Sequence, residues 1–309
     1  MIYYLKQFIL FIINKIKMHS NGNSFKIQTE SGFFKINTTY GHPLRTHLSS
    51  MRLHDRFLPY LVKNTKSGVI DIGSNIGDTL VLIKSKIDCK VCCIEPDSNF
   101  NRILRKNIYD NNLDNVLLYP YAISSFKKKI QIVKNKNLSS GNITDSENGI
   151  STKYISDVFY DLNLNINDYK TIKVDTDGFD WDVLNSINDF CKNNHNNFDY
   201  IFYEHQTYLN NIGPNDEKRN WRENQYLKSL LALRKQGFMN YYIFDNFGAF
   251  ILKTTDLNCL SQLVSYPKNT LMNRMTFNFC DILICRDENI LQVEKVLEDY
   301  ISNDMKVVK

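Results

Sequence analysis

The tightest constraint on the fold is the run Val69-Ile70-Asp71-Ile72-Gly73-Ser74-Asn75-Ile76-Gly77-Asp78-Thr79. Val69, Ile70 and Ile72 form a short β-branched apolar run, the pattern of a strand covered on both faces. Gly73 and Gly77 follow, and they admit backbone torsions and close approaches that a Cβ would block. Leu80, Ile83 and Ile87 then recur at helical spacing over residues 76–87. A buried strand, a tight loop and a helix in that order belong to an open α/β sheet, which binds ligands at the carboxyl ends of its strands.

The loop also constrains the ligand. Asp71 places a carboxylate at the end of the strand, and Asp78 stands where the dinucleotide fingerprint G-x-G-x-x-G has its third glycine. An acidic loop suits a ligand with a positive end better than a pyrophosphate. S-adenosylmethionine, with its sulfonium and ammonium, is such a ligand. The same letters also fit a strand-glycine-helix junction of unrelated chemistry, so the loop alone does not decide. A second strand over residues 90–95 ends in Glu95-Pro96-Asp97, 24 residues after Asp71. That is close to the strand-helix-strand spacing at which a carboxylate accepts from ribose hydroxyls. Asp97 or Ser98 would cap a helix over residues 100–109.

Further strands are expected at residues 116–122, 171–174, 200–203, 241–244 and 277–285, with helices at 44–61, 181–191 and 227–236. Pro59 should interrupt the first of these helices, and Gly237 should stop the last. Residues 25–36 alternate in the manner of a hairpin ahead of the sheet. Residues 139–151 are polar, with Ser and Gly, and read as a loop that could cover a cofactor. The organisation expected is an extension over residues 1–41, with an apolar helix and a hairpin, followed by one domain over 42–309.

Charge and cysteine usage narrow the function classes. A net charge of +5 falls short of the concentrated basic face of a nucleic-acid binder, and basic residues do not interleave regularly with aromatics. Lys127, Lys128 and Lys129 read as a solvated hairpin face. The seven cysteines are an odd number without a disulfide framework. Cys89 and Cys92 sit in a run that reads as a strand, where positions three apart face opposite sides, so they cannot pinch one metal. Small buried thiols of a reducing cytoplasm are expected, and no metal. Residues 2–16 are strongly apolar but would span only about 24 Å as a helix, short of a bilayer core. A helix packed on the domain is expected first and an interfacial membrane helix second, so that residues 2–17 would give peripheral contact at the inner face of the membrane. His195 falls in an Asn-rich surface turn.

Four motifs in order, residues 69–79, Cys93-Ile94-Glu95-Pro96, Lys173-Val174-Asp175-Thr176-Asp177-Gly178-Phe179-Asp180 and Phe279-Cys280-Asp281-Ile282-Leu283, resemble those of the FkbM family of S-adenosylmethionine-dependent methyltransferases. His54-Asp55-Arg56-Phe57-Leu58-Pro59 and Phe244-Asp245-Asn246-Phe247-Gly248 are also similar to that family, and the likeness covers about residues 42–285. It implies a class I methyltransferase fold, a Rossmann-like α/β sandwich of three layers, with a mostly parallel seven-stranded sheet whose last strand is antiparallel. It also implies O-methylation, often of sugar hydroxyls in surface polysaccharides, glycolipids or glycosides, with a carbohydrate acceptor and no nucleic acid. The family commonly has D-x-E-G after the fourth strand, and Asp177 takes the Glu position here with a reach one methylene shorter.

On this reading Asp71 and the backbone of Gly73, Ser74, Asn75 and Gly77 hold the methionine half of the cofactor. Glu95 and Pro96 meet the ribose, and Asp175 sits beside the methyl. A sugar hydroxyl loses its proton late, and His205 is the first candidate base, with Asp177 and Glu204 as competitors. Each of these acids could instead cap a following helix. Methylation of a non-sugar acceptor (small molecule, protein or nucleic acid) is one alternative. An oxidoreductase with a nicotinamide cofactor is another, against which the missing third glycine argues.

Overall fold

The computed structural model describes residues 24–29, 31–39, 42–44, 55–134, 141–194, 198–206, 217–264 and 279–304. Residues 2–17, His195 and most of residues 44–54 lie outside these. Among the described residues no helix is long and apolar enough to cross a membrane.

The chain opens with a hairpin of β1 (Ser24–Thr29) and β2 (Gly32–Asn37), antiparallel in register from Ser24 opposite Asn37 to Thr29 opposite Gly32. Helix α1 (Phe57–Thr65) follows. Pro59 sits in its first turn, where no intrahelical N–H is needed, so it does not interrupt the helix. The core then alternates strand and helix: β3 (Gly68–Ile72), α2 (Asp78–Lys86), β4 (Val91–Ile94), α3 (Ser98–Asp110) and β5 (Val116–Tyr119). Asp97 caps α3 by accepting from the N–H groups of Asn99 and Phe100.

Pro120 ends β5, and the chain leaves the main sheet for a small one. Strands β6 (Ala122–Ile123), β7 (Lys129–Lys134), β8 (Gly141–Asp145) and β9 (Ile150–Lys153) pair in the order β6-β9-β7-β8. The polar stretch expected to be a loop is therefore partly strand. Its backbone pairs with β7, Ile132 opposite Ile143, although its side chains carry no alternating apolar signal. Helix α4 (Ile155–Asp161), β10 (Tyr169–Val174), α5 (Asp180–Asn193), β11 (Tyr200–His205), α6 (Glu217–Arg234), β12 (Asn240–Asp245), β13 (Phe250–Thr254), α7 (Leu257–Val264), β14 (Cys280–Cys285) and α8 (Ile290–Asn303) complete the chain.

The main sheet runs β13-β12-β14-β11-β10-β3-β4-β5. Strands β5, β4, β3, β10 and β11 are parallel, while β14 pairs antiparallel with both β11 and β12. The expected seven strands are present, and β13 extends the sheet by an antiparallel eighth, the return arm of a hairpin from β12. Side chains on alternate positions feed two cores. Val69, Val91 and Phe202 face α1, α2 and α8, whereas Ile70, Ile172 and Tyr203 face α4, α5, α6 and α7. A third cluster, with Ile27, Ile36, Ile76, Val81, Phe100 and Ile103, seats the N-terminal hairpin on α2 and α3. The cysteines are free, and all but Cys259 are buried; burial raises the Cys92 thiol to about 12, so these act as small apolar side chains.

Candidate functional site

Connections leave β3 toward one face of the sheet and β10 toward the other, so the sheet reverses its winding between these neighbours. This is the switch point at which open α/β sheets bind ligands. The two loops at this point touch. Gly73 has φ +86°, and a Cβ there would lie 1.7 Å from the carbonyl oxygen of Asp175. The glycine is thus required by the chain's own backbone. The N–H of Asp175 donates to the carbonyl of Ile72 at 2.9 Å, which completes the lock.

The glycine loop is braced from the other side by β4. The N–H groups of Gly73 and Ser74 both donate to the carbonyl of Ile94, at 2.9 and 3.1 Å. Ser74 Oγ donates to the Asp71 carbonyl at 2.7 Å and accepts from the Ile94 N–H at 3.1 Å, so its hydroxyl is committed inside the protein. Asn75 adopts the left-handed region at φ +48°, which asparagine tolerates, and its N–H donates to Glu95 Oε2 at 2.8 Å. Its side-chain oxygen meets His42 Nε2 at 3.3 Å. Gly77 begins α2 and, having no side chain, supplies no cap to that helix.

Glu95 is 6% exposed, and its second oxygen accepts the Asp97 N–H at 2.8 Å. Burial raises its pKa to about 8 against the pull of those two N–H groups. Pro96 follows it on the rim of a cleft of about 710 Å³ between α3 and β7–β9, which Arg102 and Arg105 also line.

Asp71 lies beneath the loop rather than on its open face. It is wholly buried, and neither carboxylate oxygen has a hydrogen-bond partner. Burial raises its pKa to about 6, and its counter-charge is Lys173 on β10, directly opposite in the strand register, with Nζ 3.6 Å away. The same Nζ donates to Asp175 Oδ2 at 3.1 Å. Burial works against the charge of Lys173, yet Asp175 and Asp71 hold its pKa well above the usual range. A lysine inside the apolar run Thr171-Ile172-Lys173-Val174 was the available signal for this pair, since a buried ammonium needs a carboxylate.

Asp175 is partly exposed at the tip of β10, and Asp177 stands two residues on with φ +55°, a left-handed torsion unusual for a residue other than glycine. The turn is organised by Asp180, which sequence reasoning passed over. Its Oδ1 accepts the Thr176 N–H at 2.9 Å, and its Oδ2 accepts the Gly178 N–H at 3.1 Å and the Tyr226 hydroxyl at 3.3 Å. Burial, then the neighbouring Asp175, raise the pKa of Asp180 to about 7, and the same causes push Asp177 upward.

Glu204 and His205 end β11 on opposite faces of the sheet. Glu204 is buried, and burial with Asp175 and Asp180 nearby holds its pKa well above the carboxylate range. His205 stacks on Tyr226 with ring centroids 4.1 Å apart, and its Nδ1 lies 3.1 Å from the Tyr203 hydroxyl. Burial alone lowers its pKa to about 3, so the imidazole is neutral. The sequence-predicted residues thus gather at one end of the sheet, with Asp71, Ser74, Gly77, Glu95, Glu204 and His205 buried and Gly73, Asn75, Pro96, Asp175 and Asp177 partly exposed. No group of three or more His, Cys, Asp or Glu side chains is arranged to hold a metal ion among the described residues.

The strand order and directions belong to one fold. It is the class I methyltransferase fold. No family model matches the chain. No curated protein matches it either. Among solved structures it is similar to an O-methyltransferase from Bacillus cereus in complex with SAH, at 12% identity, covering 79% of this chain and 88% of that one with a TM-score of 0.40. It is similar also to a SAM-dependent methyltransferase from Agrobacterium tumefaciens, at 6% identity, 85% and 70% coverage and a TM-score of 0.43. A precorrin-6y C5,15-methyltransferase from Geobacter metallireducens gives 10% identity, 79% and 87% coverage and a TM-score of 0.34. These likenesses concern the fold alone.

Proposed function

We propose that the chain is an S-adenosylmethionine-dependent O-methyltransferase of the FkbM type that methylates a sugar hydroxyl in a polysaccharide, glycolipid or glycoside. The observation that carries this is the convergence of three parts at the switch point. They are the glycine loop that opens α2, the strand-tip carboxylate Glu95, and the acidic turn Asp175–Asp180 in backbone contact with the loop. The N-terminus of α2 suits the carboxylate of an amino-acid ligand. Glu95 keeps lone pairs on both oxygens for ribose hydroxyls after accepting two N–H groups.

Bound S-adenosylmethionine supplies an electrophilic methyl, which the acceptor oxygen takes by in-line displacement of sulfur. The chain's own contribution is then alignment and proton removal. Asp71 acts through Lys173, which fixes Asp175 at the rim. In the tautomer with its proton on Nδ1, toward the Tyr203 hydroxyl, His205 presents a neutral Nε2 lone pair, and that atom is buried and without a partner. Asp177 and Glu204, with raised pKa values, are the other candidate proton acceptors.

Calorimetry with S-adenosylmethionine, S-adenosylhomocysteine and NAD tests the cofactor, and transfer of labelled methyl to nucleotide sugars, lipid-linked glycans and polysaccharide tests the acceptor. Binding of S-adenosylmethionine with label appearing in a glycan is expected. Binding of NAD in its place would end this reading.

A further inference from the structure

We propose that the acceptor site is a subsite for an uncharged carbohydrate ring, built by Thr176, Gln206 and Arg222 with the two tryptophans Trp181 and Trp221. It lies where the Asp175–Asp180 turn meets the first turns of α6. The proposal rests on the methyltransferase reading and adds to it where the acceptor is held and what recognises it.

The first observation is a concentration of buried polar atoms without partners. Thr176 Oγ1, Glu204 Oε2, His205 Nε2, Gln206 Oε1 and Arg222 Nη1 are all buried and lack a hydrogen-bond partner. Native proteins leave few such atoms unsatisfied, so several at the tips of two adjacent strands and on α6 ask for a ligand. The set mixes donors and acceptors, as a ring of hydroxyls requires. Gly178 lets two of these groups lie directly against the turn. A Cβ there would stand 2.5 Å from Arg222 Nη1 and 3.3 Å from Gln206 Oε1.

The second observation is an aromatic wall along the same turn. Lys128 Nζ lies 4.9 Å from the centre of the Phe179 ring, Phe179 lies 5.6 Å from Trp181, and Trp181 meets Trp221 edge-on at 5.2 Å. The chain has only two tryptophans, and both are here. Trp221 is 51% exposed and precedes Arg222. An apolar face beside orphaned polar groups matches a sugar, whose C–H face is apolar and whose rim is polar. The 83° angle between the indoles leaves no parallel slot for a flat base. Asp180 lies near Arg222, and Asp175, Asp177 and Asp180 lie near Glu204, a collection of carboxylates that disfavours a phosphate or uronate.

Because both tryptophans stand at the subsite, intrinsic tryptophan emission reports on it alone. The full chain, saturated with S-adenosylhomocysteine and checked by calorimetry, is titrated with methyl glycosides of neutral hexoses and deoxyhexoses, with glycerol as control and hexose phosphates as the anionic arm. A saturable emission change with at least one neutral glycoside is expected. It should weaken about five- to tenfold in Trp221→Ala, the scale of one aromatic contact, and comparably in Arg222→Lys. Trp181→Phe, which keeps an aromatic ring, should weaken binding less than Trp221→Ala and leaves Trp221 as the reporter. Three results overturn the proposal: no response to any glycoside while S-adenosylhomocysteine binds, tighter binding of the phosphates, or equal affinity in Trp221→Ala, Arg222→Lys and the unmodified chain. Failure of S-adenosylhomocysteine to bind, with a glycoside response intact, would instead remove the methyltransferase reading and leave the sugar subsite.

Discussion

Gly73 and Gly77 offer a controlled test of the contact between the two loops, because both have φ +86° and differ in what a methyl group would meet. At Gly77 a Cβ would press on Leu104 Cδ1 at 2.5 Å, with nothing else nearer than 3.8 Å. Gly77→Ala therefore costs the left-handed torsion, about 1–2 kcal/mol, and a rotamer adjustment of about 0.5–1.5 kcal/mol. At Gly73 the obstacle is main chain. The Asp175 oxygen at 1.7 Å and its carbon at 2.7 Å must retreat, and this pulls on the hydrogen bonds Asp175 N–H to Ile72 and Gly73 N–H to Ile94, both 2.9 Å. Leaving one buried pair unmade adds about 1–3 kcal/mol, against the smaller rotamer cost at Gly77, so Gly73→Ala should cost about 1–2 kcal/mol more than Gly77→Ala. At about 2.1 cal/mol/K of unfolding entropy per residue, that is a gap of roughly 2–3 °C in Tm for this chain. Thermal melts and urea titrations of the two variants side by side measure it, with the torsional cost cancelling. Equal stability of the two would refute the view that the glycine loop and the Asp175 turn are locked backbone to backbone.

Other expectations follow from the buried charges. Lys173→Met strands Asp71 and Asp175 without their counter-ion and should destabilise the fold by about 3–5 kcal/mol in denaturant titrations, with Lys173→Met/Asp71→Asn recovering part of the loss. Asp180→Asn should cost about 1–3 kcal/mol and loosen the Asp175–Asp180 turn, read as faster amide exchange at Thr176 and Gly178. His205 is held neutral by burial with a folded pKa near 3, below its unfolded value near 6.5. Its contribution to stability is therefore complete above the unfolded pKa and is lost as pH falls toward the folded one. The stability advantage of the unmodified chain over His205→Asn should shrink by about 2 kcal/mol between roughly pH 6.5 and pH 5, at about 1.4 kcal/mol per unit. The raised carboxylates Asp71, Glu95 and Asp180 drift oppositely with pH but are common to both chains. A pH-independent difference would contradict this account of His205. In turnover assays His205→Asn should lower kcat while calorimetry finds S-adenosylhomocysteine affinity unchanged.

The parts of the molecule legible in the sequence are those where one local pattern decides the structure. Residues 69–79 combine a β-branched run with two glycines, and β3, the loop and α2 form where that pattern places them. The strand ends that carry Glu95, Asp175 and His205 were readable for the same reason. Of the small sheet, β7 fell in a stretch read as a hairpin, but β8 and β9 were not read, because their stability comes from backbone pairing rather than an alternating apolar face. Helix α6 begins ten residues before its apolar repeat, in the polar run Glu217-Lys218-Arg219-Asn220-Trp221-Arg222, so no helix was expected over the residues proposed to hold the acceptor. Helix α8 did carry a signal that went unread, with Val293, Val296, Leu297 and Tyr300 at i, i+3, i+4 and i+7. Asp180 and Lys173 illustrate a different limit. Their partners are backbone N–H groups of a turn and a carboxylate on another strand; a lysine inside an apolar run signals that a counter-charge exists, but no spacing along the chain names it.

The position of β14 has a consequence for how the chain is made. Among the described residues it is the last strand in sequence, yet it lies between β11 and β12. Until residue 285 has left the ribosome, β11 and the β12–β13 hairpin each present an unpaired edge, and the forty residues that separate the end of β12 from the end of β14 take about 2–8 s to translate. During that interval the half-built sheet is open to pairing with another chain or with itself in the wrong order. Chains cut short before β14 should collect in aggregates even though every residue proposed to hold the cofactor is already in place.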